Sequence, residues 1–258
     1  MNKLILIIMC LLPLGVTAQT AEEKGLEIAV EADKRDAGFG DLSSLLTMTL
    51  KNANGDTSIR KMRSKTLEVQ GDGDKGLTIF DKPADVKGTA FLSFTHILEA
   101  DDQWLYLPAL KRVKRISSKN KSGPFMGSEF AFEDLASREV EKYNYLYLKD
   151  DVIEGEEAFV FEARPNYKYS GYTRSVIWMS KRIYQPLKIE FYDRKNVLLK
   201  TMVAGGYQQY LGKYWRPATM NMVNHQTKKE TLLEFSDYQF QTGLSERDFS
   251  KASLKRAK

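Results

Sequence analysis

The feature that most restricts how this 258-residue chain can fold is a succession of period-2 segments running from Leu46 to residue 240. Leu46, Met48 and Leu50 alternate with Thr47 and Thr49, and a long extended segment, Thr57 to Val69, follows the turn signal Asn52-Ala53-Asn54-Gly55-Asp56. Gly71-Asp72-Gly73-Asp74-Lys75-Gly76 is a second turn signal, because Gly and Asp readily supply bent backbone. Further strands are expected at 77–81, 89–96, 103–107, 111–116, 138–149, 156–164, 172–180, 186–193, 197–204, 214–225 and 229–240. Pro186 and Pro217 fall near strand starts, where a missing amide is tolerated. Helical spacing is confined to 22–36, through Leu26, Ala29, Val30 and Asp33, and to 245–256, with Ser245 as cap and Phe249 beneath it. Strands separated by turns, without alternating helices, argue against a parallel α/β fold. The strands are long and rich in large apolar residues, which suits a mainly β chain with a strongly curved antiparallel sheet.

The N-terminus reads as an export signal. Met1-Asn2-Lys3 is a short positive region, Leu4–Leu14 is apolar, and Val16-Thr17-Ala18 is a small-residue cleavage site before Gln19. At about 1.5 Å per residue, Leu4–Leu14 falls well short of a hydrocarbon core about 30 Å thick. Residues 1–18 are therefore expected to be removed, leaving 19–258 as a single soluble periplasmic domain. The one cysteine, Cys10, would leave with the signal, which excludes disulfides and cysteine chemistry from the mature chain.

Little in the sequence nominates catalysis. His96 and His225 are the only histidines, and neither sits in a metal-binding spacing. No Gly-x-Ser-x-Gly elbow occurs around Ser122 or Ser128, and the pairs Asp101-Asp102, Asp150-Asp151 and Glu156-Glu157 lie at turns or strand ends. No enzyme, metal or cofactor is expected.

The informative stretch is 102–135. Trp104 and Tyr106 alternate with Leu105 and Leu107, so both faces of that strand are apolar or nearly so. A basic run follows immediately: Lys111, Arg112, Lys114, Arg115, Lys119 and Lys121, with no acidic residue among them. It reads either as a solvated strand edge that blocks further pairing, or as a surface for anionic head groups or an acidic protein face. The formal net charge is only +5, so nucleic acid is not expected as a partner. A second stripe, Lys61, Arg63 and Lys65, alternates on one strand face with Arg60 opposite. The glycine-bounded Gly123-Pro124-Phe125-Met126-Gly127-Ser128 is either a mobile gate or a fixed turn. Apolar alternation also marks Val176 with Trp178, and the mature methionines include Met126 and Met220, residues that adapt to irregular apolar space.

The blocks Trp104-Leu105-Tyr106-Leu107-Pro108-Ala109-Leu110-Lys111-Arg112-Val113-Lys114-Arg115-Ile116 and Phe125-Met126-Gly127-Ser128-Glu129-Phe130-Ala131-Phe132-Glu133-Asp134-Leu135 resemble the outer-membrane lipoprotein-sorting protein family, relatives of the LolA carriers. The resemblance extends over the mature chain. It implies a highly curved antiparallel sheet forming an incomplete barrel, covered by short α-helices, around a cavity for acyl chains. It implies a periplasmic carrier of lipids or lipoproteins toward the outer membrane, with an inner-membrane exporter of the RND type and an outer-membrane acceptor as partners. A lipid sensor or exporter subunit that does not transport, and an enzyme on a hydrophobic substrate, are the alternatives. The expected ligand-binding residues are Trp104, Leu105, Tyr106, Phe125, Met126, Trp178 and Met220. The expected docking or head-group surface is Lys111, Arg112, Lys114 and Arg115, on a monomer.

Overall fold

The computed structural model describes residues 19–256, so the expected signal peptide lies outside the described residues. The chain opens with helix α1, Ala21–Asp36. Thr20 caps it: its hydroxyl accepts the Glu23 N–H at 3.1 Å, and the Glu23 carboxylate accepts the Thr20 N–H at 2.8 Å. This reciprocal pair satisfies two amides that the first turn leaves unpaired. The buried face is Gly25, Ile28 and Ala29, whereas Leu26 and Val30 stay 45% and 47% exposed. The helix is thus rotated from the face its apolar spacing suggested. Close approach decides the rotation, because a Cβ on Gly25 would lie 2.9 Å from the Tyr147 backbone nitrogen.

Fifteen strands follow: β1 Asp41–Lys51, β2 Thr57–Leu67, β3 Lys75–Lys82, β4 Ala90–Phe94, β5 Asp102–Leu107, β6 Arg112–Ile116, β7 Tyr143–Ile153, β8 Glu156–Pro165, β9 Arg174–Ser180, β10 Pro186–Tyr192, β11 Leu198–Gly205, β12 Gln208–Tyr210, β13 Tyr214–Arg216, β14 Thr219–Asn224 and β15 Glu230–Phe240. A short helix, α2 Lys251–Arg256, ends the described chain. Thirteen strands form one antiparallel sheet in the order β6-β5-β4-β3-β2-β1-β15-β14-β11-β10-β9-β8-β7, and β12 with β13 makes a separate hairpin. Sequence neighbours pair throughout, apart from the β1–β15 and β11–β14 joins.

This corrects the expected highly curved, incomplete barrel. The sheet is open, with β6 and β7 as its free edges, and is neither closed nor strongly curled. The chain between those edges explains why. Residues 117–142 run as short 3₁₀ turns punctuated by Gly123, Pro124 and Gly127, and supply no strand to bridge β6 to β7. Two strand expectations also shift. The segment expected from 138 becomes a strand only at Tyr143, after the 3₁₀ turn Val140–Lys142. The segment 214–225 breaks at Pro217, which has no N–H to continue the ladder, so β13 joins the hairpin and β14 the sheet.

Both faces of the sheet carry cover. The inner face holds the main apolar cluster, from Met48, Phe80 and Phe91 at one end to Phe161, Ile177 and Ile189 at the other. Helix α1 lies over the β7–β10 end, and the 121–135 segment plugs the β2–β5 end. Phe125 is its wedge, with its ring 5.2 Å from that of Phe91, 5.8 Å from Phe80 and 5.5 Å from Phe132. On the outer face, α2 and Phe249 cover Leu77, Leu92 and Trp104.

The plug is held by buried polar contacts. Lys200 Nζ on β11 donates to the Asp134 carboxylate at 2.7 Å and to the Glu129 carbonyl at 2.8 Å, and Tyr172 Oη donates to the other Asp134 oxygen at 2.8 Å. Asn224 Nδ2 donates to the Glu129 carboxylate at 2.6 Å, and Gly171 N–H to Glu133 at 2.7 Å. Lys200 and Asp134 are 4% and 6% exposed in their side chains, so each charge depends on the other. Lys200→Met leaves Asp134 buried without its cation. It is expected to cost about 3–5 kcal/mol in chemical denaturation, the range for breaking a buried pair from one side. A loss within about 0.5 kcal/mol of zero, typical of ordinary surface substitutions, would show that the plug does not depend on this pair.

Candidate functional site

Plug and helix together leave one part of the inner face unfilled. A cavity of about 500 Å³ lies between α1, the 68–74 loop, the 137–140 segment and the sheet. Its sheet wall is Tyr145, Phe161, Ile177, Met179 and Ile189, one from β7, one from β8, two from β9 and one from β10. These side chains share a face because paired residues of antiparallel strands point the same way: Phe161 is opposite Ile177, which is opposite Ile189. Ala29 and Ala32 of α1 form the facing wall, and their small side chains leave the space open. The volume falls in the range of small-molecule pockets.

The mouth differs from these walls. Asp33 and Asp36 come from α1, Glu68, Asp72 and Asp74 from the loop after β2, and Arg138 and Glu139 from the segment before β7. Burial raises Asp74 to about 6, and the charges of Glu68 and Asp36 add to it against the Val69 N–H that donates to its carboxylate at 3.3 Å. Burial and the Asp74 charge raise Glu139 to about 7, against the attraction of Lys142. Asp33 is raised too, by burial and then by Glu141, Asp36 and Glu68. Asp72 is held below the usual carboxylate range by its hydrogen bond with His96, 2.7 Å away.

The residues expected from the sequence to bind ligand fall on two faces. Leu105 is buried on the inner face, paired with Phe91 and in the same cluster as Phe125. Met126 and Met220 pack against that cluster, partly buried. Met126 has φ 50°, a left-handed conformation that is uncommon for a residue with a side chain, and its carbonyl accepts from Arg60. The 123–127 turn is therefore tied to β2 of the sheet. Trp104 and Tyr106 stand on the outer face against Phe249 and Leu254. Trp178 also faces away from the cavity, where its indole N–H donates to Asp151 at 3.1 Å and Lys188 sits 4.1 Å from its ring. None of the seven lines the cavity. Apolar alternation with Val176 marks Trp178, but the cavity takes its neighbours Ile177 and Met179, because one step along a strand reverses the face. The sequence puts Asp72 and Asp74 in a turn signal, Asp33 in the helical spacing of 22–36 and Glu139 in the strand expected over 138–149, and only the tertiary fold gathers them.

The basic run occupies the edge strand β6. Arg112 and Lys114 pair with Leu107 and Leu105 on the inner-face side, while Arg115 pairs with Trp104 on the outer side and bonds Asp102. Lys111 precedes the strand at φ 48°. All four are exposed. The second stripe does not stand beside the first, since β3, β4 and β5 separate β2 from β6. Arg63 and Lys65 instead pair with Ile79 and Leu77 on the outer face, and Arg63 also holds Asp81 at 2.9 Å. Among the described residues, no group of His, Cys, Asp and Glu is arranged to hold a metal, and no helix is long and apolar enough to cross a membrane.

Comparison with solved structures gives these features a family. The chain is 62% identical to an outer membrane lipoprotein-sorting protein domain from Vibrio parahaemolyticus, over 91% of this chain and 100% of that one, with a TM-score of 0.90. It is 27% identical to a DUF1329 family protein from Desulfovibrio piger ATCC 29098, over 91% and 99% of the two chains, with a TM-score of 0.87. A LolA superfamily protein from Nitrosomonas europaea shares the fold at 21% identity, over 92% and 100%, with a TM-score of 0.71. A family model described as "-like: Uncharacterized protein" matches residues 72–256. No curated protein matches the sequence. The chain belongs to the outer membrane lipoprotein-sorting protein family, as its 104–135 blocks indicated.

The raised carboxylates set a pH dependence. Between about 4, where a free carboxyl titrates, and 6–7, the folded chain holds protons on Asp74 and Glu139 that the unfolded chain has released. Stability from this source is therefore present below about pH 4 and is lost as pH rises through 6–7. Glu139→Gln is expected to flatten the fall in melting temperature over that window and to melt above the native chain at pH 7.5. Parallel melting curves for the two proteins from pH 4.5 to 7.5 would contradict the assignment.

Proposed function

We propose that this chain is a non-enzymatic periplasmic carrier that takes acyl chains of a lipid or lipoprotein into the cavity beneath α1 and delivers them toward the outer membrane. The observation that carries the reading is the open apolar wall formed by Phe161, Ile177, Met179 and Ile189, continuous with the apolar cluster of the inner face. Membership of a lipoprotein-sorting family supports the same reading. Apolar walls suit variable chains because burial is non-directional, and each buried methylene contributes about 0.8 kcal/mol. About six methylenes would thus supply close to 5 kcal/mol before the costs of binding. Residues 19–258 act as one lipid-binding domain, released into the periplasm by removal of 1–18. Leu105, Phe125, Met126 and Met220 extend the same apolar face away from the cavity, Trp178 stands behind the wall on β9, and Trp104 and Tyr106 lie outside the site, under α2 at the other end of the sheet.

Mass spectrometry of gently purified native protein is expected to find a co-purified lipid or acylated peptide. A fluorescent acyl probe should bind the native chain, and Ile177→Asp should weaken it at least about tenfold, since a carboxylate then faces the chain. Leu105→Asp and Met126→Asp, each checked for folding, test whether the chain reaches the plug. Equal probe binding by native protein and a folded Ile177→Asp variant would reject the cavity as the acyl site. A tight complex with an envelope exporter, with the cavity empty, would favour the sensor or subunit reading.

The exposed cations of β6 are proposed as the docking or head-group surface, facing an anionic membrane, an RND-type exporter at the inner membrane or an outer-membrane acceptor. Attraction between exposed charges is screened over about 8 Å at physiological ionic strength. Transfer between anionic vesicles should therefore slow as salt is raised. Removing the Arg112/Lys114 pair or the Lys111/Arg115 pair should slow it several-fold at low salt. If the native rate ignores salt and both variants match it, the run serves only to guard the sheet edge.

A further inference from the structure

We propose that the amphiphile held in this cavity carries a cationic head group, an alkylammonium, seated among Asp33, Asp74 and Glu139 while its chain lies on the Phe161–Ile177–Ile189 wall. This rests on the acyl-binding reading above and names the class of ligand that the site accepts. The cavity itself indicates a ligand, and the charge at its mouth selects among amphiphiles.

Every element around the mouth contributes charge, and the cations there are already engaged. Arg216 of β13 reaches Asp36 at 2.5 Å. Arg138 donates to Ser175 at 2.8 Å and lies 4.2 Å from the Tyr143 ring. Lys142 is bound to Asp101, and His96 lies 2.7 Å from Asp72. Glu68 spends its carboxylate on the N–H groups of Gly38 and Gly40, at 2.6 and 2.7 Å. The sheet wall between these elements carries no charged side chain, and Tyr184 and Gln185 close the far side.

What remains is Asp33, Asp74 and Glu139, from three separate elements, with no ion pair within 4.0 Å among the described residues. Among the described residues the Asp74 carboxylate has only the Val69 N–H and the Ser137 hydroxyl, at 3.3 and 3.4 Å, and the Glu139 carboxylate has no hydrogen bond. The mouth is thus acidic in a chain of net charge +5, the reverse of the molecule's average. An ammonium entering there would replace mutual repulsion by attraction, whereas a phosphate or carboxylate head would add to the repulsion.

Two sources share this chemistry: the amino head group of a lipid, and the basic residues next to the acylated end of a lipidated peptide. The test uses calorimetric titration of the folded native chain with decyltrimethylammonium, decyl maltoside and decyl sulfate, each as monomer. The cationic amphiphile should bind on the order of tenfold more tightly than the neutral one at pH 8, and the anionic one more weakly. The preference should shrink toward pH 5 as Asp74 and Glu139 take up protons, while decyl maltoside binding stays constant. The Asp74→Asn/Glu139→Gln variant should lose the preference and keep decyl maltoside binding. Sphingosine, a lipid amine without phosphate, and a palmitoylated lysine peptide then separate the sources, and tighter binding of either identifies its class. Equal binding of the three decyl compounds, or the tightest binding by the sulfate, overturns the head-group inference and leaves the acyl reading standing. Binding of none of the three overturns the acyl reading itself.

Discussion

A wide open sheet with one strongly apolar face must have that face covered, and everything else in this molecule follows from how the cover is supplied. Closing the sheet on itself would have done it, but the chain between the edges β6 and β7 is made of glycine- and proline-broken 3₁₀ turns. Those residues instead lie across the face. Phe125, Phe130 and Phe132 fill one end, and the Lys200–Asp134 pair with its Tyr172 and Glu129 contacts fixes them there. Helix α1 covers the other end, brought close by Gly25 against the β7 backbone.

The cavity follows from a difference between these two covers. The plug presents aromatic rings that reach into the sheet, with centroid separations of 5.2–5.8 Å that leave no room. The helix presents alanines, whose side chains stop short of Phe161 and Ile177. One sheet face can therefore be solid core at one end and a binding space at the other. Its selectivity comes from outside the sheet, from α1 and two loop segments whose carboxylates meet only at the mouth.

The free edges separate function from protection in the same way. Strand β6 would be open to further pairing, and its exposed Arg112, Lys114 and Arg115 oppose that by charge repulsion. The same three cations give the molecule a basic end, with the acidic mouth gathered elsewhere on the sheet. An amphiphile carrier with two such regions has distinct surfaces for a membrane and for a head group.

Period-2 alternation in segments such as Thr57–Leu67 and Glu230–Phe240 was enough to place the strands, because side-chain alternation is a local property, but not to say which strands pair, as the β1–β15 join shows. The start of β10 at Pro186 was legible for the same reason, and so was a cap at Ser245, although it opens the 3₁₀ turn Glu246–Asp248 and the helix forms only over Lys251–Arg256 instead of the whole of 245–256. The 104–135 blocks carried the family, since their residue types in that order are specific. Whether the sheet closed was not legible: closure depends on whether two distant edges meet, and no residue of β6 or β7 encodes that alone. Nor was the cavity. Trp178 and Ile177 are equally plausible as a wall until register and the position of α1 decide which face has a cover. Asp33, Asp74 and Glu139 lie far apart along the chain and become one charged mouth only after folding, because electrostatic coupling depends on distance through space.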